Sequence, residues 1–289
     1  MRIAYRGGLD RLENDGATRV WQIWPSSGNI ILFEGICITG QHPILLFVIL
    51  LCATFPYFSF MLNYDQGKGF PLSVWFLTIW FVITALLVLK VSLSDPGIIP
   101  RRAIAERMYA HVKDRNEAES LINPYAHIPG SIFCYTCEIM RPPLASHCSD
   151  CGNCILGLDH HCAVLNNCIG QRNYPFFLML LPSVFFFTIS FIFQIRLPGY
   201  SDAGGANHGT IYSIIVLISM TIAVLSFIFV CGLLLYHSWL VYTKKTTRQH
   251  IRGTGAIELS LWERLKGHAP LFTLRDNLNI SDQDEHFNP

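Results

Sequence analysis

The sequence predicts an all-α polytopic membrane protein: four transmembrane helices, with a cytosolic zinc-binding, cysteine-rich domain between the second and the third. Three observations carry this. Of the 289 residues 51% are hydrophobic and only 14% charged, with a mean hydropathy of +0.36, well under the charged share of soluble domains. Four stretches are apolar over the length a bilayer demands. Finally, of ten cysteines, Cys134, Cys137, Cys148, Cys151, Cys154, Cys162 and Cys168 fall in a single polar stretch between apolar runs. A formal net charge of +1 gives no general attraction to nucleic acid or to acidic partners.

Residues 1–42 form a polar amino-terminal segment with Arg2, Arg6, Arg11 and Arg19 and no cleavable signal pattern. Trp21 and Trp24 suit a segment lying at the membrane interface, and an ordinary polar tail accounts for them equally well. The first span is Pro43–Leu62, uncharged and at 1.5 Å per residue about 30 Å long, the hydrocarbon thickness. Leu72–Leu89 is the second, with Lys90 placed to snorkel to the interface. The polar segment 94–174 opens on Asp95-Pro96-Gly97, a turn whose proline stops the helix. Ala103–Leu121 mixes acids and bases without an apolar stripe and reads as a solvated helix. The third span, 176–195, follows Cys168 so closely that the cysteine-rich domain 134–168 must lie against the membrane. The fourth, Ile211–Tyr236, is longer than required and free to tilt.

The tail 237–289 opens with Lys244, Lys245, Arg248 and Arg252. Leu259–Leu265 offers a turn or two of amphipathic helix, docking or merely solvated, and the acidic end SDQDEHFNP reads as disordered. Basic residues concentrate in the two termini and the middle segment, which places all three in the cytosol. That topology keeps the sequon at Asn279 from the lumen. It also puts the cysteines in a reducing compartment, against a disulfide framework and in favour of metal with one reactive thiolate. Cys37, Cys52 and Cys231 read as small apolar filler.

Chemistry concentrates in CYTCEIMRPPLASHCSDCGNCILGLDHHCAVLNNC, Cys134 to Cys168. Cysteines two residues apart can face one tetrahedral zinc from a single turn. Two Cys3His sites consume six cysteines and two histidines, which leaves one of each. A spare thiol beside a spare imidazole is what nucleophilic catalysis uses, and Asp159-His160-His161-Cys162 holds carboxylate, base and nucleophile together. The plainer alternative is a purely structural zinc module. A RING-type module, which would imply a ubiquitin ligase, does not fit, because His147 directly precedes Cys148 and the knuckles overlap.

At these residues the chain resembles the DHHC protein S-acyltransferases, or palmitoyltransferases. The resemblance runs through Cys134-x2-Cys137, Arg141-Pro142, His147-Cys148-x2-Cys151-x2-Cys154, Asp159-His160-His161-Cys162, Asn166-Asn167-Cys168, Gly170, Asn173 and Phe177. The triplet Asp95-Pro96-Gly97 and Thr246-Thr247-Arg248-Gln249, similar to a TTxE motif with Gln for Glu, extend it. It implies one structural zinc on Cys134, Cys137, His147 and Cys154, and another on Cys148, Cys151, His161 and Cys168. It further implies Cys162 as acyl-accepting nucleophile, His160 as its base and Asp159 as the group orienting that base. Ala163-Val164-Leu165 replaces the family's usual Pro-Trp-Val, and Leu144 stands where many members have Arg.

The activity so implied moves a long-chain (palmitoyl) group from acyl-CoA, through a Cys162 acyl-enzyme, to cysteines of membrane-apposed client proteins, in Golgi or endoplasmic reticulum membranes or else the plasma membrane. Some members of the family work with an auxiliary subunit. Arg141, Arg172 and Lys244 are candidates for the CoA phosphates. The competing reading is a catalytically silent membrane scaffold; a transporter is disfavoured, since no span carries a paired charge.

Overall fold

A computed structural model describes residues 28–33, 35–63, 71–110, 112–195 and 210–253. The expectations for Trp21 and Trp24, the amphipathic turn at 259–265, the acidic end and Asn279 lie outside them.

Four long helices form: α1 (Ile44–Asn63), α2 (Leu72–Leu93), α5 (Tyr174–Ile195) and α6 (Thr210–Tyr242). Each is long and apolar enough to cross a bilayer, and together they make this an integral membrane protein. The ends differ from expectation in one direction. Helix α2 continues past Lys90 to Leu93 and stops where Asp95-Pro96-Gly97 forbids more. Its Asp95 carboxylate takes the N–H groups of Gly97 at 2.8 Å and Ile98 at 2.9 Å. Helix α6 runs six residues beyond Tyr236; at 33 residues it is about 50 Å long, well over the ~30 Å apolar layer. Its last turns therefore leave the membrane and reach the polar domain.

The all-α expectation is corrected in that domain. Strands β4 (Ile132–Cys134) with β5 (Ile139–Arg141), β6 (Ser146–Cys148) with β7 (Asn153–Ile155), and β8 (His160–Cys162) with β9 (Asn167–Ile169) form short antiparallel hairpins, and β3 (Ile98–Ile99) adds antiparallel to β7. Strands of two or three residues are too short to show alternation in a sequence, and in two of the hairpins a cysteine turn connects the strands. An additional hairpin, β1 (Asn29–Leu32) with β2 (Cys37–Gly40), precedes the first span. The single charged helix expected at 103–121 is two, α3 (Arg102–Met108) and α4 (Arg115–Ile122). Asp114 caps the second by accepting from the Glu117 N–H at 2.8 Å, and Arg102 clasps Glu119 across the break.

Asparagines weld domain to helices. Asn167, wholly buried, turns its amide toward the carbonyls of Val91 (3.0 Å), Ser92 (3.3 Å) and Ser94 (2.7 Å), three carbonyls at the end of α2, whose helix leaves them without partners. Asn173 donates to Cys168 at 2.9 Å. Asn166, in the left-handed region at φ 51 that asparagine tolerates, donates to Gly40 at 2.7 Å and Thr39 at 3.0 Å. Beneath the domain α2 packs on α5, and α5 on α6.

Candidate active site and metal clusters

Side-chain alternation explains why adjacent residues serve different centres. Successive residues of a strand point to opposite faces. In β6, His147 therefore joins Cys134, Cys137 and Cys154, while Cys148 joins Cys151, His161 and Cys168; each set keeps its ligand atoms within 4.8 Å of one another. The register places His147 opposite Cys154 and His161 opposite Cys168, so each hairpin delivers two ligands from one cross-strand pair. The His147 Nδ1 lies 3.4 Å from the Cys137 sulfur, and the His161 Nδ1 3.4 Å from that of Cys151. Hydrogen bonds from the neighbouring thiols of Cys151 and Cys168 drive the Cys148 thiol toward thiolate. Three thiolates and an imidazole in tetrahedral reach could each hold a metal ion. The two sets interleave along the chain.

The same alternation acts in β8. His161 turns to its cluster, and His160 and Cys162, two apart, share the other face. Cys162 belongs to neither cluster. Asp159 is 1% exposed and accepts from the His160 Nδ1 at 2.8 Å, the Thr247 N–H at 2.9 Å and the Thr247 hydroxyl at 2.6 Å. Burial alone would raise its pKa; the bonds from His160 and Thr247 outweigh this and hold it below the usual carboxylate range. Burial would likewise lower His160, yet Asp159 on one side and the Cys162 sulfur on the other lift it to about 9. The ring is thus held between a carboxylate and a sulfur.

Below the pair lies a cavity of about 250 Å³ reaching from Cys162, His160, Phe177 and His237 down to Phe187, Phe191 and Ala223. Phe177 and Phe191 are fourteen residues apart on α5, so it runs about 21 Å along the helix. Its walls are almost wholly apolar and come from all four spans.

A family model described as DHHC palmitoyltransferase matches residues 128–254. Palmitoyltransferase ERF2 of Kluyveromyces lactis is 30% identical over 255 residues, 84% of this chain and 70% of that protein. The chain belongs to the DHHC palmitoyltransferase family. Palmitoyltransferase ZDHHC9 of Homo sapiens is also 30% identical, over 82% of this chain and 70% of its own length, and palmitoyltransferase ZDHHC18 of Homo sapiens 30% over 82% and 64%.

Within this DHHC palmitoyltransferase the departures from the family pattern acquire places. Gln249 completes a capping box on α7 (Thr247–Arg252), its side-chain oxygen accepting the Thr246 N–H at 2.9 Å; an amide oxygen does here what a carboxylate would. Val164 and Leu165 line the cavity. Of the residues considered for CoA, Arg172 is held by the Asp95 carboxylate, Lys244 is exposed on the turn after α6, and Arg141 lines a second cavity with Arg248 and Arg252. The sequence marks Thr247 only as part of a motif, without its bond to Asp159, and does not mark His237. The first carried a signal, since Thr246-x-x-Gln249 is a capping pattern. His237, 3% exposed with its ring 6.1 Å from that of His160, falls in the tail when the span is ended at Tyr236, six residues short of the end of α6.

Proposed function

We propose that Cys162 is the acyl-carrying nucleophile of this protein S-palmitoyltransferase, with His160 as proton carrier and Asp159 as the group that fixes the ring. One observation carries the reading: a sulfur outside both metal clusters, facing His160, at the mouth of an apolar cavity between spans. A long-chain acyl-CoA fits such a place, its chain among the spans and its headgroup in water.

The thiolate of Cys162 attacks the thioester carbonyl; the carbon–sulfur bond to CoA breaks, and the departing CoA thiolate takes the imidazolium proton. The acyl-enzyme then meets a client cysteine. His160 accepts that thiol's proton, the client sulfur attacks, and Cys162 leaves as thiolate, giving ping-pong kinetics. The donor sets fit two structural zinc ions, since four protein ligands apiece leave no position open to water. Zinc would supply rigidity, aligning β8 through His161.

For the CoA phosphates the favoured seat is the cavity of about 310 Å³ bordered by Arg141, Arg248 and Arg252. The Nε atoms of Arg141 and Arg248 are buried without partners, and no carboxylate lines it. Burial, and then the charges of Arg252 and Arg141, lower the Arg248 pKa. Such crowded cations are eased by a polyanion. Leu158 and Thr246 line the same cavity, each next in sequence to a member of the Asp159–Thr247 pair. The basic segments favour a cytosolic active site in Golgi or endoplasmic reticulum membranes, with membrane-apposed proteins as clients.

The test is Cys162→Ser. It should abolish hydroxylamine-sensitive labelling of the purified chain by an alkynyl fatty acyl-CoA while metal content stays at the parent value. Labelling equal to the parent overturns the assignment.

A further inference from the structure

The β1–β2 hairpin carries apolar side chains on both faces, Thr39 on the outer one being buried against Asn166. Ile31 pairs with Ile38, and that face packs on the core built by Ile98, Ile104, Cys148 and Ile155. Ile30 and Leu32 turn the other way and are 36% and 39% exposed; the connecting turn adds Phe33 at 71% and Ile36 at 57%. A hairpin with one face on a core and the other in water alternates apolar with polar residues. Here the outer face carries no charge, and Glu34 is the one charged residue from Asn29 to Gly40. An apolar patch of this kind is a surface made to be covered.

Its depth says by what. The Asn167 amide that faces the last carbonyls of α2 also reaches the Ile38 carbonyl at 3.4 Å. At the other end of β2 the His42 N–H donates to Asn166 at 3.1 Å, and α1 begins two residues later. Strand β2 is thus pinned where two spans leave the apolar layer. Phe33 is five residues from Ile38, within roughly 17 Å of extended chain, and the headgroup zone is itself about 5–8 Å deep on each side. The first turn of α1, which begins four residues after β2 ends, exposes Ile44 at 75% and Phe47 at 63%.

We infer that Ile30, Leu32, Phe33 and Ile36 insert into the headgroup region of the bilayer on the metal-cluster side, making the hairpin a monotopic anchor ahead of the first span. The anchor bears on the metal domain directly. Gly28 lies so close to the Cys151 carbonyl that a Cβ would stand 2.0 Å from its oxygen, and Asn153 donates to Asn29 at 2.9 Å. This inference does not depend on acyl transfer.

Its test uses full-length protein in phosphatidylcholine vesicles, with Phe33→Trp and, separately, Ile36→Trp, each read as a difference from the parent with its six tryptophans. The added emission should be blue-shifted, quenched by phosphatidylcholine brominated on its acyl chains, and spared by iodide in the buffer. Quenching by iodide would put the hairpin in water and overturn the anchor. Shielding from both quenchers would overturn it too, by showing that protein covers the patch. Metal content equal to the parent certifies the fold of each variant, and the two positions read the same turn independently.

Discussion

Asp159 accepts three hydrogen bonds, and two of them come from a single residue 88 positions away, Thr247. A bond to a buried charge is worth about 1.5–3 kcal/mol, so Thr247→Val, which keeps the backbone donor but removes the hydroxyl, should slow Cys162 acylation roughly tenfold or more. Thr247→Ser should recover most of the rate. The measurement is single-turnover acylation with metal content in parallel; a Val variant at parental speed would show that the hydroxyl does not hold the carboxylate. Asp159, His160 and Cys162 were legible because they are contiguous and their chemistry is distinctive. Thr247 was not, since nothing in a linear reading says which carboxylate the first turn of a distant helix will meet.

At the scale of elements, the spans were legible and the hairpins were not. Four uncharged runs announce helices through composition alone, whereas β8 is three residues long and is defined by its pairing with β9. Yet β8 is the element that matters most, because it separates His161 from His160 and Cys162. What anchors its partner is Asn167, whose amide group faces Val91, Ser92 and Ser94. Asn167→Ala would remove the donor facing the Ser92 and Ser94 carbonyls, at a cost of about 1–3 kcal/mol. Asn167→Asp keeps the shape and turns a carboxylate oxygen on them, so it should lower the thermal unfolding midpoint in detergent further than alanine does. The reverse order would mean that filling the space, and not donating, is the role of the side chain.

For the whole molecule, the cavity follows from how four helices lean together, which a list of apolar residues does not reveal. Its far end is closed by Phe187, Phe191 and Ala223, and Ala223 is 3% exposed. Ala223→Phe should raise the floor and shift preference from stearoyl- toward myristoyl-CoA in competition assays, with the rate on the shorter donor little changed. An unaltered preference would place the chain elsewhere.

The interleaving of the two ligand sets reaches further. Because His147 and Cys148 belong to different ligand sets, and Cys148 and Cys151 fall between His147 and Cys154, a cut between 148 and 154 leaves neither half with a finished centre, and no cut between 134 and 168 spares both. Recombination inside this region would split at least one centre wherever it fell, so exchange between relatives is confined to crossovers at its borders and the block is inherited whole.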